Sequence, residues 1–595
     1  MRNLAFKSRR TVMFWTFSLI VLMVATAPLA EATLVRFAKP TAYPSGGGWL
    51  ESIAVADLNG DGHPDIVVAN LCDSQWDCGD IKFAIGKVGV LLGNGDGTFQ
   101  PAVSYSSGGY NSWSVAVADV NGDGHLDLIV ANNCDTSDCN YGSVSILLGN
   151  GDGTFQPPVS YNTGENAYSV AVGDLRGNGT LDIVAATCTF RFGSVCNFGT
   201  GTLAVLLGNG DGTFQPALSY YPGGPYAGAV TVADLNKDGR ADVVLQNDNG
   251  MLGVLLSNGD GTFQPAVSYS SPAISLVVIA DVNRDGNPDL VVAGAVLLGN
   301  GDGTFAAPIS FPVGGGAVAV GDVNGDANPD VALTSGKRCG RYDCGLVQVL
   351  AGVGDGTFQA PATYSSGCGN GGPVSIAIAD FNGDSRPDVV AGNWGCDSVG
   401  VLLNNFRAKT VTAMTSALNP SYVGQLVIFT ATVSSNPQVP DGQVVTFFDR
   451  TTALASVALA GGKAAYSTST LSGKTHYIKA KFSGNTFFNS SSATVTQTVL
   501  KYATTTGLTS NPNPSNYGQT VTFTATVTLS GIYALTGQVK FWDGTTGIGK
   551  ATLNGGVATL KKSTLAVGTH AITAQYLSDA YNDKSTSMVV NQVVQ

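Results

Sequence analysis

The stretch "VADVNGDGHLDLIVANN" (residues 117–133) places a loop with an acid or amide at nearly every second position between two apolar segments. Seven loops of this kind occur, each close to D-x-N-x-D-G-x-x-D. They begin at Asp57, Asp119, Asp174, Asp234, Asp281, Asp322 and Asp380. A motif that recurs in register predicts one supersecondary unit per copy, with the units packed side by side.

A second motif, "LLGNGDGTF" or a close variant, follows each of the first six loops. Each unit reads as a strand, the acidic loop, a second strand, a variable loop, and a third strand that turns through "GDGT" into a fourth. Asn-Gly and Asp-Gly between apolar runs favour hairpins. Four strands repeated seven times predict an all-β fold in which residues 33–406 form a seven-bladed β-propeller.

The ends of the repeat region predict a closed ring. The seventh unit stops at "VLLNNF" (401–406), before its fourth strand, whereas "FAKPTAYPSGG" (37–47) matches the fourth-strand segment "FQPAVSYSSGG" (99–109). We therefore expect the first strand of the chain to complete the last blade. Closure would remove the exposed strand edges that an open array leaves.

The acidic loop predicts a calcium site. In the second unit Asp119, Asn121, Asp123 and Asp127 hold positions 1, 3, 5 and 9. These carboxylates would repel one another without a cation, and hard oxygen ligands suit Ca²⁺, with the backbone carbonyl of position 7 added. An EF-hand is excluded because position 12 is Val130 and strands flank the loop. The alternative is an Asx-rich turn held by its own side chains.

The seven loops are not equivalent. We expect good calcium sites in units 1, 2, 4 and 5 and weaker sites elsewhere. The third loop loses a ligand because Arg176 stands at position 3, and the sixth and seventh replace the position-6 glycine with Ala327 and Ser385. The residues predicted to surround calcium are Asp57, Asn59, Asp61, His63, Asp65, Asp119, Asn121, Asp123, His125, Asp127, Asp174, Asn178, Asp182, Asp234, Asn236, Asp238, Arg240, Asp242, Asp281, Asn283, Asp285, Asn287, Asp289, Asp322, Asn324, Asp326, Asn328, Asp330, Asp380, Asn382, Asp384, Arg386 and Asp388.

These tandem loops and "LLGNGDGTF" turns resemble the FG-GAP/VCBS repeats of integrin α-subunit propellers and of many exported bacterial proteins. The resemblance covers about residues 34–406. It implies a propeller, calcium that braces the blades, and a role in adhesion or ligand binding. It does not identify a ligand.

The variable loops and the links between blades would share the face opposite the acidic loops. Aromatic and cysteine-containing loops on that face predict a preorganised recognition surface for a glycan or a protein loop. The alternative is that the rings pack between blades. The candidate residues are Trp49, Trp76, Tyr110, Trp113, Tyr168, Phe190, Phe192, Tyr226, Arg341, Tyr342 and Trp394.

All ten cysteines fall in the repeat region and suggest disulfides that staple loops, with a zinc site as the alternative. The predicted pairs are Cys72/Cys78, Cys134/Cys139, Cys188/Cys196, Cys339/Cys344 and Cys368/Cys396. Residues 1–32 read as an export signal, with a basic start, an apolar segment and a small-residue cleavage site, and the alternative is an uncleaved anchor. We therefore expect a secreted or cell-surface protein with no membrane span in the mature chain.

After residue 406 the composition shifts to Thr, Ser and Val, and one unit occurs twice. "NPSYVGQLVIFTATVSS" (419–435) matches "NPSNYGQTVTFTATVTL" (513–529). Alternating short strands in units of this size suit β-sandwiches at 407–500 and 501–595. The pair resembles bacterial Ig-like repeats. His476 and His570 hold equivalent positions, which favours a structural role over catalysis.

Composition limits the function. The chain has a net charge of −12, which argues against nucleic acid or an anionic membrane as partner. Only three of its 42 acidic residues are glutamates, Glu31, Glu51 and Glu165. We expect a calcium-binding, non-enzymatic recognition or adhesion protein with an extracellular glycan or protein ligand. The alternatives are a hydrolase or lyase acting on extracellular polysaccharide and a purely structural envelope protein.

Overall fold

The computed structural model describes residues 35–595 except 75–77, 79–83, 189–200, 225–226, 248–249, 272–275, 314, 340–341, 370 and 436; for 337–339 and 342–344 it describes the backbone alone. The segment 1–32, predicted as an export signal, lies outside these residues. The described regular structure consists of strands and short 3-10 turns such as Trp394–Cys396. None of it is a helix long and apolar enough to cross a membrane.

The first two repeat units share one seven-stranded sheet, because a single long strand serves as the fourth strand of the first unit and the first strand of the second. The strands pair in sequence order from β2 to β8. Their bounds are β2 (Gly48–Ala56), β3 (Asp65–Cys72), β4 (Ile85–Leu91), β5 (Val103–Ala118), β6 (Asp127–Cys134), β7 (Ser143–Leu147) and β8 (Val159–Asn162).

The next four units each form a separate four-stranded antiparallel sheet. The third unit has β9 (Asn166–Gly173), β10 (Asp182–Cys188), β11 (Thr202–Leu206) and β12 (Leu218–Tyr220). The fourth has β13 (Val230–Ala233), β14 (Asp242–Asn247), β15 (Met251–Leu255) and β16 (Val267–Ser270). The fifth has β17 (Val278–Ala280), β18 (Asp289–Val292), β19 (Ala295–Leu297) and β20 (Ile309–Ser310). The sixth has β21 (Val318–Gly321), β22 (Asp330–Cys339), β23 (Tyr342–Leu350) and β24 (Ala362–Ser365).

The sheet of the seventh unit is completed by the first strand of the chain. It contains β25 (Pro373–Ala379), β26 (Asp388–Asn393) and β27 (Ser398–Leu402), and β1 (Thr41–Pro44) pairs with β27 in the register Thr41 to Val401. An isolated bridge between Phe37 and Asn404 repeats the bridge that joins the third and fourth strands of the other units, as between Gly93 and Phe99. The pairing of the N-terminal strand follows the sequence prediction.

The second strand of a unit is buried on both faces. Every residue of β3 is buried, and its neighbours Val67 and Val68 belong to different cores. Val67 packs with Val130 of the second unit, whereas Val68 packs with Val390 of the seventh. Successive side chains of a strand point to opposite faces, so a continuous apolar run fits a strand that lies between two neighbouring sheets.

Seven edge-to-face aromatic pairs link each unit to the next. The ring in or next to the fourth strand of one unit meets the phenylalanine that precedes the fourth strand of the following unit, with ring centroids 4.9–5.7 Å apart. Tyr105 contacts Phe155 between the first and second units, and Tyr43 contacts Phe99 between the seventh and first. The remaining pairs are Tyr161/Phe214, Tyr220/Phe263, Tyr269/Phe305, Phe311/Phe358 and Tyr364/Phe37.

Backbone contacts between the seventh and first units repeat those between internal neighbours. The N–H of Ile53 donates to Oγ of Ser375 at 3.1 Å, as that of Val230 does to Oγ of Ser169 at 3.1 Å. The seven four-stranded units, the first two of which share one sheet, and these contacts are compatible with a closed seven-bladed propeller.

Two β-sandwiches follow. In the first, β28–β30–β33 faces β29–β35–β34–β31–β32, and in the second, β36–β37–β40 faces β39–β38–β41 with β42 and β43 on β41. The bounds are β28 (Val411–Ser416), β29 (Ser421–Tyr422), β30 (Val427–Ser434), β31 (Val444–Asp449), β32 (Thr452–Ala458), β33 (Lys463–Thr468), β34 (Thr475–Phe482), β35 (Ser491–Leu500), β36 (Thr504–Asn511), β37 (Val521–Leu529), β38 (Gln538–Asp543), β39 (Thr546–Thr552), β40 (Val557–Lys562), β41 (Gly568–Tyr576), β42 (Ser585–Thr586) and β43 (Val590–Val594).

Each sandwich holds one histidine between two acceptors. Nδ1 of His476 lies 2.6 Å from Oδ2 of Asp449 and its Nε2 lies 2.8 Å from the carbonyl of Ser472. His570 repeats this arrangement with Asp543 and Ala566, and these acceptors raise the pKa of its imidazole. Both rings tie one strand to a neighbouring loop, which agrees with the expected structural role.

If the ring is closed, Tyr43→Ala should destabilise the propeller as much as Tyr105→Ala does. Each change removes one half-buried ring and one edge-to-face contact, which we expect to cost about 1–3 kcal/mol. The free energy of unfolding from denaturant titration measures both. A negligible effect of Tyr43→Ala beside a clear effect of Tyr105→Ala would show that the seventh and first units do not pack together.

Candidate functional site

The last aspartate of each acidic loop is fully buried. In the first loop the carboxylate of Asp65 accepts the N–H of Leu58 at 2.9 Å on one oxygen and that of Gly93 at 2.7 Å on the other. It thereby ties the start of the loop to the end of the third strand. The seven residues at this position are Asp65, Asp127, Asp182, Asp242, Asp289, Asp330 and Asp388, each with an exposed fraction of 0%.

The other oxygens of the loop accept hydrogen bonds from the loop's own backbone. Asp57 accepts the N–H groups of Asp61 and Gly62 at 3.1 and 2.8 Å. Oδ1 of Asn59 accepts the N–H of Asp61 at 3.1 Å, and Asp61 accepts that of His63 at 2.8 Å. The second, fourth and fifth loops repeat these bonds.

These bonds are those expected of an Asx-rich turn, the alternative to a calcium site in the sequence analysis. They also confine the side-chain oxygens of positions 1, 3 and 5 to one small loop, and in the first loop each of these oxygens accepts one of these hydrogen bonds and keeps a further lone pair. Within the described residues, no three His, Cys, Asp or Glu side chains lie close enough to form a ready metal centre. Carboxylate and amide oxygens confined to nine residues nonetheless fit the ligand preference of Ca²⁺.

The carboxylates of one loop repel one another. Burial raises the pKa of Asp65, and the charges of Asp61 and Asp57 raise it further. The same causes raise the pKa of Asp242 to about 6 and that of Asp388 to about 7. A divalent cation within the loop would relieve this repulsion.

The side chain at position 7 lies outside the loop. A Cβ atom placed on Gly95 would come within 2.4 Å of the His63 ring, so this ring covers the GDGT turn of the same blade. His125 covers Gly151 in the second blade in the same way. Only the backbone carbonyl of this position is therefore suited to a metal.

The third loop supplies its own cation. Nη2 of Arg176 lies 2.7 Å from Oδ1 of the buried Asp182, and Nε lies 3.2 Å from Oδ2. Nη2 also donates to the carbonyl of Gly208 at 2.7 Å. The sequence predicted only that Arg176 removes a ligand; in the structure the guanidinium pairs with the buried carboxylate.

The sixth and seventh loops contact the first sandwich domain. Nη1 of Arg386 donates to the carbonyl of Thr486 at 3.3 Å, Nε donates to that of Asn404 at 2.8 Å, and Nη2 pairs with Asp384. A Cβ atom on Gly325 of the sixth loop would meet the ring of Phe487. These two loops therefore position the propeller against its neighbouring domain.

On the opposite face the structure brings predicted ligand-face residues together in two pairs. The ring centroids of Trp49 and Trp394 lie 5.3 Å apart, and those of Trp113 and Tyr168 also lie 5.3 Å apart. Trp49 and Trp113 also pack on the buried cluster of Cys72 and Cys78. These rings, like Tyr110, are only partly exposed. One part of each ring packs against neighbouring residues and the other part is open to solvent. Outside the described residues lie Trp76, Phe190, Phe192, Tyr226, Arg341 and the side chain of Tyr342.

The described cysteine pairs confirm the disulfide prediction. Cys72–Cys78, Cys134–Cys139 and Cys368–Cys396 are bonded, with Cα atoms 5.6, 4.5 and 6.0 Å apart. Cys188 is also disulfide-bonded. Outside the described residues lie Cys196 and the side chains of Cys339 and Cys344.

Two polar residues of this face were missed by the sequence reasoning. The carboxyl group of Glu51 accepts a hydrogen bond from Trp394, while burial raises its pKa to about 8. The side chain of Gln246 is 4% exposed, and its Nε2 has no partner among the described residues. A signal for Gln246 was available, because the other units carry alanine, threonine or glycine at the equivalent position.

Arg176→Ala should lower the free energy of unfolding of the propeller by about 3–5 kcal/mol, because it leaves a buried carboxylate unpaired. Arg240→Ala is the matched control, since its contact with Asp238 at 3.4 Å is partly exposed and should be worth less than about 1 kcal/mol. Denaturant titration measures both, and equal effects would contradict the role assigned to Arg176.

In calcium-free buffer the propeller should lose stability as the pH rises from about 4 to 7. The pKa values of Asp242 and Asp388 lie near 6 and 7 in the folded state, against 3.8 ordinarily. The folded state then binds more protons than the unfolded state across this window, so raising the pH favours unfolding. Urea midpoints with a chelator at several pH values test this, and a midpoint that rises over the same window would contradict it.

Comparison with known proteins agrees with this geometry. Residues 82–130, 134–185, 194–245, 234–292 and 335–391 match the FG-GAP-like repeat, and residues 49–70 match the FG-GAP repeat. Residues 414–500 and 508–595 match the bacterial Ig-like domain (group 3). No curated protein matches the chain.

A solved structure of fibronectin(III)-like modules of Clostridium thermocellum CbhA is similar to part of the chain. The match has 19% identity, covers 30% of this chain and 93% of the other, and has a TM-score of 0.15. The repeat matches, together with the seven acidic loops and two sandwiches, show the architecture. The chain is a β-protein of FG-GAP and FG-GAP-like repeats over residues 49–391 followed by two bacterial Ig-like domains of group 3.

Proposed function

We propose that this chain is an exported recognition or adhesion protein whose calcium-braced propeller binds an extracellular carbohydrate or protein ligand. The disulfides and the repeat and Ig-like domains indicate an extracellular protein. The observation that carries the calcium proposal is that, in the first, second, fourth and fifth loops, the side-chain oxygens of positions 1, 3 and 5 accept hydrogen bonds from the same loop and are thereby confined to it. In this proposal the Ig-like pair displays the propeller.

In the first loop Asp57, Asn59, Asp61 and Asp65 would hold the calcium ion, with the carbonyl of His63. The second, fourth and fifth loops offer the same set. The ion would neutralise the repelling carboxylates, and because Asp65 also binds the end of the third strand, it would brace the blade. It takes part in no reaction in this proposal.

The aromatic face supports recognition. Disulfides hold the loops that carry or adjoin Trp49, Trp113 and Trp394, so little conformational entropy would be lost on binding. Half-exposed tryptophan and tyrosine rings offer apolar area together with a polar edge. Both features suit a glycan or a protein loop.

A polysaccharide-cleaving enzyme is less well supported. Glycoside hydrolysis ordinarily requires two carboxyl groups that flank the scissile bond. A cavity of about 230 Å³ opens on the ligand face. Among the described residues that line it, Glu51 is the one with a carboxyl group. A single carboxyl beside aromatic rings fits binding better than hydrolysis.

Calcium should raise the melting temperature of the propeller and leave that of the Ig-like pair unchanged. With a dissociation constant of about 10⁻⁴ M, each occupied loop would add about 1.4 kcal/mol at about 1 mM calcium. Differential scanning calorimetry with calcium or chelator measures this. The double change Asp119→Ala and Asp123→Ala should reduce the gain by one loop's share.

The matched control for that change is Asp96→Ala. Asp96 lies on the same face, but its carboxylate bonds only within its own GDGT turn, to the N–H and hydroxyl of Thr98. It should leave the calcium response intact. A response that is absent in the unaltered protein, or that Asp96→Ala reduces equally, would overturn the calcium assignment.

A glycan array probed with and without chelator tests the recognition function. Saturable binding to defined glycans that weakens as the propeller loses calcium supports it. Turnover of a bound polysaccharide would support the enzyme instead. Absence of binding to glycans and to extracellular proteins would overturn the recognition proposal.

A further inference from the structure

A cavity of about 230 Å³ opens where the first strands of the blades meet on the ligand face. Glu51, Trp113, Tyr168, Gly228 and Val374 line it, and all stand six residues before the first aspartate of their acidic loops. They come from blades 1, 2, 3, 4 and 7. A cavity reached from the same position of so many blades lies at the centre of the ring.

The wall of this axial pocket is uneven. Blades 1–3 contribute a carboxyl group, an indole and a phenol through Glu51, Trp113 and Tyr168, whereas blades 4 and 7 contribute Gly228 and Val374. Blades 1–3 are neighbours and place their large polar and aromatic groups side by side, and the small residues of blades 4 and 7 flank them. Packing alone would not require such an arrangement in a ring of similar blades.

Gln246 adds an unsatisfied donor to this pocket. It lines the cavity, is 4% exposed, and its Nε2 lacks a hydrogen-bond partner among the described residues. A buried polar group without a partner costs about 1–3 kcal/mol. The equivalent residues of the other blades are Ala69, Ala131, Ala186, Ala293, Thr334 and Gly392. Only this blade carries a long amide there. The free-energy penalty of burying its N–H group is relieved when a ligand accepts the hydrogen bond.

We propose that the axial pocket binds one neutral sugar residue, with the ring of Trp113 against the sugar face and Gln246 and Glu51 hydrogen-bonding its hydroxyl groups. This inference rests on the proposed recognition function and names its ligand class and site. A hydroxyl group accepts the amide N–H of Gln246 and can donate to the Glu51 carboxyl. The aromatic edge and face cover the apolar C–H surface.

The charge of the pocket disfavours both an anion and a cation. None of the described residues that line it is a lysine or arginine. Burial raises the pKa of Glu51 to about 8, so its carboxyl is mostly neutral near pH 7. An ammonium ligand could use the aromatic rings and Glu51, but it would leave the N–H of Gln246 unsatisfied, whereas a sugar satisfies both.

Titration of the full-length, calcium-loaded protein with methyl glycosides of glucose, galactose, mannose and N-acetylglucosamine tests the site, with choline chloride as the cationic probe. Saturation-transfer NMR and calorimetry at millimolar concentrations provide the readout. Gln246→Ala and Trp113→Val install residues that other blades carry, so both should fold, and each should weaken sugar binding about tenfold or more. Tyr141→Ala alters an exposed ring of a neighbouring loop and should leave binding unchanged.

Three outcomes overturn this proposal. Sugar binding that survives both pocket changes places recognition elsewhere, and the recognition function then stands without this site. Saturable binding of choline but of no sugar assigns the pocket to a cation. No binding of any of these probes removes the sugar assignment, while a calcium-dependent melting temperature would still support the braced propeller.

Discussion

The buried carboxylate at the ninth position of each acidic loop is the contact on which the propeller depends. One of its oxygens holds the end of the third strand in all seven blades, from Gly93 in the first to Asn404 in the seventh. No apolar residue could make these bonds, and a buried negative charge is tolerated only with hydrogen bonds or a counterion. This aspartate therefore holds the second and third strands together. The interface between neighbouring blades, which these strands form, depends on it.

The same constraint explains how the loops differ. The first, second, fourth and fifth loops place further acids and an amide near the buried carboxylate, and in the proposal above a calcium ion would neutralise them. The third loop places the Arg176 guanidinium on Asp182, and the seventh pairs Arg386 with Asp384 and extends it to the Ig-like domain. The third and seventh loops thus obtain a neutralising charge from their own arginines. In the seventh loop this arginine also contacts the neighbouring domain.

Much of this was accessible from the sequence because it repeats. The alternating strands, the Asn-Gly turns and the orphan segment at Phe37 predicted the blades and the pairing of β1 with β27, and the spacing of the cysteines predicted their described pairs. The pairing of Arg176 was missed because loop spacing does not show where a long side chain folds back. Glu51 and Gln246 were missed because their role depends on how the blades are arranged, which brings these two residues, almost 200 positions apart in the chain, to one cavity.

The central claim is that the acidic loops with oxygen side chains at positions 1, 3, 5 and 9 and a glycine at position 6 enclose calcium. An anomalous difference map from crystals grown with calcium tests it most directly. The account predicts peaks within the first, second, fourth and fifth loops, each among the oxygens of positions 1, 3, 5 and 9, and no peak beside Arg176. Empty loops in a calcium-saturated crystal, or a peak of equal height in the third loop, would contradict it.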